Sequence, residues 1–197
     1  MNDSNRIAQV SRRTAETQID LRLNLDGTGI GECRTGIGFL DHLLLSLAKH
    51  ARFDLTLTCN GDLVVDDHHT AEDCAIALGS ALDQALGEKR GIARFGYAYA
   101  PLDEALVRAV IDLSGRGVAS VDLPLRRESL GGLSCENIPH VISSIAIAAR
   151  ATVHVDLIRG VNAHHSAEAA FKAMALALRM AVARDGTNEI PSTKGSL

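Results

Sequence analysis

Apolar and polar residues alternate along "ETQIDLRLNLDGTG", with Ile19, Leu21, Leu23 and Leu25 on one parity. A period of two is the mark of a half-buried strand, and Asp26-Gly27 supplies the turn that ends it. The period then changes. Residues 39–50 read as a helix and residues 53–59, "FDLTLTC", as an alternating strand. Asn60-Gly61 reads as a hairpin turn into a further short strand, "DLVV", and residues 69–86 as an Ala/Leu-rich helix. The second half gives strands in "EALVRAVIDLSGR" and "VASVDLPL" around Gly115-Arg116-Gly117, a helix over 135–149, a strand over 151–158 and a helix over 165–184. The polar, Gly/Pro-containing end "DGTNEIPSTKGSL" reads as a mobile loop.

The two halves are copies of each other. "DHLLLSLAKHAR" (41–52) aligns with "PHVISSIAIAAR" (139–150): His42 meets His140, Ser46 meets Ser144, and Ala51-Arg52 meets Ala149-Arg150. "HHTAEDCAIALGSALDQAL" (68–86) aligns with "HHSAEAAFKAMALALRMAV" (164–182), His-His on His-His and Glu72 on Glu168. The offset is 98 in the first block and 96 in the second, as two residues lost from a loop would give. The expected fold class is α+β, in two tandem similar units over 1–93 and 94–197. Each would be a small mixed or antiparallel sheet backed by two helices.

Composition narrows the partners. With 3% aromatics and no Trp, the core must be built from Ala, Leu, Ile and Val. A formal net charge of −4 is a poor basis for binding nucleic acid or an anionic membrane. The four cysteines, Cys33, Cys59, Cys74 and Cys135, show no CxxC spacing and read as small buried residues or free thiols. The N-terminus has no apolar signal-peptide core and no run is long enough to span a bilayer, so a cytoplasmic setting is expected.

Six of the eight histidines fall at matched places: His42/His140, His68/His164 and His69/His165. With Glu72/Glu168, each repeat holds three imidazoles and one carboxylate, a set suited to a first-row divalent cation with open positions. Were the helix to start at the motif, His68 and Glu72 would share a face while His69 pointed about 100° away. A single HHxxE is a weak signal, because Glu near a helix N-terminus is favoured by the dipole alone; two copies in register are a stronger one. His50 and His154 lack matched partners and read as a helix C-terminal and a strand-surface histidine. Arg94 and Arg116 stand beside glycines, where a ligand can approach the backbone; Lys172 follows Glu168 by one turn, and Lys194 lies in the Ser-rich tail. Such groups bind a phosphate monoester. Glu16, just before the first strand, would alone be an ordinary surface acid.

Together "GIGFLDHLL", "DDHHTAED", "RFG", "PLDEAL", "DLSGR", "HHSAEAAFKA", "ALR" and "IPSTKG" resemble the imidazoleglycerol-phosphate dehydratases of histidine biosynthesis over nearly the whole chain, Glu16 to Lys194. The resemblance implies a ribosomal-S5-domain-2-like topology in each half. It also implies two Mn²⁺ per active site and a homo-oligomer of twenty-four subunits with sites between subunits. The implied metal ligands are His42, His68, His69, Glu72, His140, His164, His165 and Glu168; the implied substrate contacts are Glu16, Arg94, Arg116, Lys172, Ser192 and Lys194. No phosphatase domain is attached, so the monofunctional form is expected. The family often has aromatic residues after the second-repeat histidine, where this chain has Val141-Ile142.

The implied hydro-lyase reaction converts imidazole glycerol phosphate to imidazole acetol phosphate. No carbonyl flanks the departing proton, so the ring must take the electron-sink role, through a metal-bound imidazolate and a diazafulvene-like intermediate. Glu16 is the implied base. Two other classes fit parts of the pattern. A di-metal phosphohydrolase would favour bridging carboxylates over imidazoles. A non-catalytic metal- or RNA-binding module is disfavoured for RNA by acidic charge and scarce aromatics.

Overall fold

The alternating stretch forms a strand because one parity can be buried completely: Ile19, Leu21 and Leu23 are at most 4% exposed. In the computed structural model, which describes residues 6–197, this strand is β2 (Thr17–Asn24). The first half runs β1 (Ile7–Arg13), β2, β3 (Gly31–Arg34), α1 (Gly38–Ala51), β4 (Asp54–Gly61), α2 (His68–Leu86). The second runs β5 (Phe95–Leu102), β6 (Ala105–Asp112), β7 (Val118–Asp122), β8 (Ser129–Leu130), β9 (Leu133–Ser134), α3 (Asn137–Ala148), β10 (Thr152–Arg159), α4 (Ala163–Ala181). The sheets have equivalent orders, β1-β2-β4-β3 and β5-β6-β10-β7. In each the last pair is parallel and the others antiparallel. The fold is therefore the expected duplicated α+β arrangement. The β8–β9 hairpin belongs to the second half alone among the described residues.

The matched Ala-Arg pairs have a conformational meaning. Arg52 and Arg150 both take left-handed φ, 61° and 52°, and stop α1 and α3. After each, the next N–H reaches back to the last turn, Phe53 to Ala48 O and Ala151 to Ala146 O. The helices lie between the sheets and are shared across the halves. α1 packs on α4 and α3 on α2, while α2 covers the first sheet and α4 the second. All the buried apolar side chains join in one core.

Several expectations need correction. Asn60-Gly61 is not a hairpin turn: β4 stays paired with β2 as far as Gly61 opposite Thr17. Gly61 is needed because α2 passes over it, and a methyl there would lie 2.0 Å from Thr70 Oγ1. "DLVV" is not a strand but a turn closed by Val65 N–H to Asp62 O, with Val64 96% exposed. Gly96 is required by packing, since a methyl on it would meet the Ala177 carbonyl of α4 at 1.9 Å. Gly115 lies against the chain end, a methyl there falling 2.5 Å from the Leu197 carbonyl carbon. Strands β1, β3, β5, β8 and β9 have no counterpart in the sequence reading.

Candidate functional site

Helix pairing across the halves brings six of the eight expected metal ligands into two clusters. His42 from the first turns of α1 meets His164 and Glu168 of α4; His140 of α3 meets His68 and Glu72 of α2. In each cluster the three ligand atoms lie within 4.8 Å of one another. His42 and His164 Nε2 are each 3.2 Å from Glu168 Oε2. His140 Nε2 is 3.2 Å from Glu72 Oε1, and His68 Nε2 is 3.9 Å from Glu72 Oε2. Each cluster is thus crossed: two ligands come from one half and the third from the other.

Local capping fixes the donors. Asn162 accepts from the His164 and His165 N–H groups at the start of α4, and Asp66 Oδ1 from His68 N–H at the start of α2. Asp41 Oδ1 accepts from Thr35 N–H and Oγ1, holding the entry to α1.

The second histidine of each motif points elsewhere. His68 and His69 rings stand edge to face at 6.2 Å, and His164 and His165 do the same at 6.1 Å. His69 Nδ1 lies 2.9 Å from Asp62 Oδ2, and His165 Nδ1 lies 2.7 Å from Glu104 Oε2. A carboxylate on Nδ1 fixes the tautomer with its proton there and leaves Nε2 as the outward donor, the usual arrangement behind a metal-binding imidazole. These hydrogen bonds also raise the pKa of His69, through Asp62 first, and of His165, through Glu104 first. In return the bond to His165 draws Glu104 down to about 2. Glu168 is likewise at about 2: burial alone would raise it, but hydrogen bonds from Lys172 and His42 outweigh that. His50, near the end of α1, is pushed toward its neutral form by burial and by Lys172, although a helix C-terminus favours an imidazolium.

A divalent cation suits these clusters on direct grounds. His140 Nε2 is shut off from water and makes no hydrogen bond among the described residues, although it faces a carboxylate oxygen. A buried polar atom without a partner is rare and calls for one. Imidazoles outnumber carboxylates two to one in both groups, as borderline first-row ions prefer.

The remaining expected residues divide. Glu16 Oε1 is 3.7 Å from His69 Nε2, and its own backbone is pinned by Thr14 Oγ1 and Asp62 N–H. Lys172 Nζ is 2.7 Å from Glu168 Oε1. Arg94 clamps Asp112 at 2.7 and 3.1 Å and donates to the Pro191 carbonyl at 2.7 Å, so it ties the tail to the start of β5. Arg116 bonds its own turn, at Ser114 O, and Ser192 Oγ accepts from Lys194 N–H. This second group sits at the far end of α4: Arg94 N–H bonds Ala181 O, whereas His164 opens the helix. The intervening turns span roughly 26 Å at the helical rise.

Sequence reading missed the groups that aim the ligands. Asp62 was hidden in a supposed strand. Asn137 Oδ1 takes the His68 Nδ1 proton at 2.9 Å, and its amide in turn donates to Asp67 Oδ2 at 3.0 Å. Asp67 also accepts from Ser134 N–H and Oγ, so the β8–β9 hairpin braces this cluster. Buried Asp73 accepts from Thr17 and Arg12, tying the strand behind Glu16 to α2. The repeat alignment held one usable signal, the mismatch of Asn137 with Phe39.

Fold and clusters together define a duplicated α+β protein with two His/Glu groups, each able to hold a metal ion, at the contact of its halves. Comparison with known proteins gives the family: the description "Imidazoleglycerol-phosphate dehydratase" matches residues 35–178. The chain is 58% identical to the imidazoleglycerol-phosphate dehydratase of Phaffia rhodozyma, covering 98% of this chain and 96% of that one. It is 50% identical to that of Kluyveromyces lactis, covering 98% and 97%. The crystal structure of the Staphylococcus aureus subsp. aureus N315 enzyme superposes with TM-score 0.82 at 35% identity, covering 90% of this chain and 99% of that one. That of the Pyrococcus furiosus enzyme superposes with TM-score 0.83 at 36% identity, covering 95% and 100%. The chain belongs to the imidazoleglycerol-phosphate dehydratase family, a family of hydro-lyases in histidine biosynthesis. Among the described residues no helix is long and apolar enough to cross a membrane.

Proposed function

We propose that this protein dehydrates D-erythro-imidazole glycerol phosphate to imidazole acetol phosphate with two Mn²⁺ per active site, in the cytoplasm. The observation that carries the metal reading is the pair of crossed His–Glu clusters, one with an unpartnered buried imidazole nitrogen. His42, His164 and Glu168 would hold one ion, His68, Glu72 and His140 the other. His69 and His165, each with Nδ1 on a carboxylate, would complete them from outside the clusters. When bound, the ions supply Lewis acidity to the imidazole ring of the substrate.

The chain's own groups account for the rest. Glu16 takes the proton from the carbon next to the ring-bearing one; its place 3.7 Å from His69 Nε2 puts a base beside a ligand-type histidine. Lys172, Arg94, Arg116, Ser192 and Lys194 hold the phosphate and orient the glycerol chain. The tail, anchored by Arg94 at Pro191, closes over the substrate. Deleting residues 190–197 should cost most of the activity, and unchanged turnover would refute the closure.

One chain does not complete this site. The glycerol chain has three carbons at about 1.5 Å per bond. It cannot join groups at opposite ends of α4, roughly 26 Å apart at the helical rise. A second copy must bring its Arg94 end to these clusters, as an assembly of twenty-four subunits with shared sites would do. The outer face of the second sheet supports such burial: Phe95, Tyr97 and Tyr99 are each more than half exposed. Within each copy the units 1–93 and 94–197 act as one functional domain.

The test is metal counting joined to the dehydratase assay. Two Mn²⁺ per chain, loss of ketone formation on chelation and its return on adding Mn²⁺ are expected. Phosphate release in place of ketone would favour a phosphohydrolase. Bound metal with neither product would favour a non-catalytic module.

A further inference from the structure

The two clusters are related by duplication but are not alike. In the α2–α3 cluster, the His68 Nδ1 proton goes to Asn137 Oδ1, and Asn137 is itself held by the Asp67 carboxylate. Asn137 is 3% exposed, so the relay works out of water. It leaves His68 Nε2 as a fixed donor and leans negative charge toward the ring. The equivalent position in the α1–α4 cluster is Phe39, at the offset of 98. Its ring packs on His164 at 5.0 Å between centroids and on His42 at 5.9 Å, and a phenyl ring gives neither imidazole a carbonyl acceptor.

A second difference acts in the same direction. Glu168 shares its charge with the ammonium of Lys172, 2.7 Å away on the oxygen opposite the histidines. At the offset of 96 the counterpart of Lys172 is Ile76, and among the described residues only His68 and His140, no lysine or arginine, pair with Glu72. An ammonium on a ligand carboxylate both draws off its charge and repels an incoming divalent ion. The second histidines do not offset this, because His69 and His165 are each backed by a carboxylate.

We infer that the two metal sites are unequal: the His68–Glu72–His140 site holds its ion tightly, and the His42–His164–Glu168 site holds a weaker, exchangeable one. Groups of this kind behind metal ligands commonly change affinity by about ten- to a hundredfold, and the gap should be of that order. The inference rests on the two-ion reading above and adds a division of labour: one ion is a resident of the fold and the other is open to exchange.

The experiment equilibrates Mn²⁺-loaded, assembled enzyme against chelator buffers of graded free Mn²⁺ and counts retained ions per chain by elemental analysis. Loss in two steps of one ion each, at least about tenfold apart in free Mn²⁺, is expected. Lys172→Met should move the weaker step toward tighter binding and leave the tighter step in place. Asn137→Leu should weaken the tighter step and bring the two together. Should Asn137→Leu fail to fold, the Lys172→Met result decides alone. Two ions lost together from the parent enzyme, or a weaker step unmoved in Lys172→Met, would overturn the inference while leaving the two-ion reading intact. No stoichiometric Mn²⁺ in the parent enzyme would instead overturn that reading.

Discussion

Gly79 sits where α2 crosses α3, and it sets how closely His68 and Glu72 can approach His140. A methyl placed on it would lie 2.5 Å from the Ile145 carbonyl oxygen, 2.7 Å from Ala148 Cβ and 2.9 Å from Ala149 N. Ordinary contact starts near 3.4 Å, so Gly79→Ala is short of room by about 0.9 Å against backbone that cannot rotate away. Relief requires α3 to lift or tilt off α2. Overpacking of this kind costs about 1–3 kcal/mol, or about 2–12 °C of Tm for a chain of this size. The cost appears at the site as well, because metal–ligand distances tolerate only about 0.2 Å. The ion between His68, Glu72 and His140 should therefore weaken. The ion at His42, His164 and Glu168 should not, since the α1–α4 crossing already carries buried Ala175 at the equivalent place. Thermal unfolding of chelated protein would measure the first effect without ligand linkage, and ions retained per chain the second. A variant with unchanged Tm and both ions held as in the parent would refute the view that this helix crossing builds the site.

Three further outcomes are expected. Glu16→Gln should keep its metals and lose kcat by a factor of about 10²–10⁴, the usual contribution of a positioned base; near-normal turnover would reassign the base. Mixing an inactive His69→Ala chain with an inactive Arg94→Ala chain before assembly should restore activity if sites are shared between copies, and no recovery in mixed particles would show that one chain supplies both ends. In metal-free protein, the His165–Glu104 pair should stabilise the fold over a bounded pH range. Raised His165 contributes below its unfolded value near 6.5 and ceases to as pH rises through its folded one; Glu104, drawn to about 2, contributes above its unfolded 4.5 and ceases to as pH falls toward 2. Glu104→Gln should flatten the stability profile across that window, and an unaltered profile would mean that the pair contributes nothing.

What could be read from sequence was what duplication wrote twice. The matched His and Glu positions, both buried helices of each half and the strands with one fully buried parity were all legible, because each leaves a periodic or repeated trace. Strand β5 was not, because its pattern is inverted. Phe95, Tyr97 and Tyr99 face out while Gly96, Ala98 and Ala100 face in, so neither parity reads as polar. Strand β3 is four residues long at a sheet edge and has too few positions for a period. The pairing of ligands was hidden for another reason. An HHxxE motif gives the angle between neighbouring side chains, but which half supplies the third ligand depends on α1 lying against α4 and α2 against α3. Asn60-Gly61 misled because a glycine demanded by an overlying helix looks the same in sequence as one demanded by a turn.

The crossing of the clusters also bears on descent. A solitary unit of this kind would own two ligands of a cluster and lack the third, so it could build a centre only by pairing with its twin. In such a pair both centres would be identical by symmetry, and any change to one would be made to both. Joining the units in one chain removes that constraint. Asn137 can then differ from its counterpart Phe39, and Lys172 from its counterpart Ile76, as separate loci free to mutate alone.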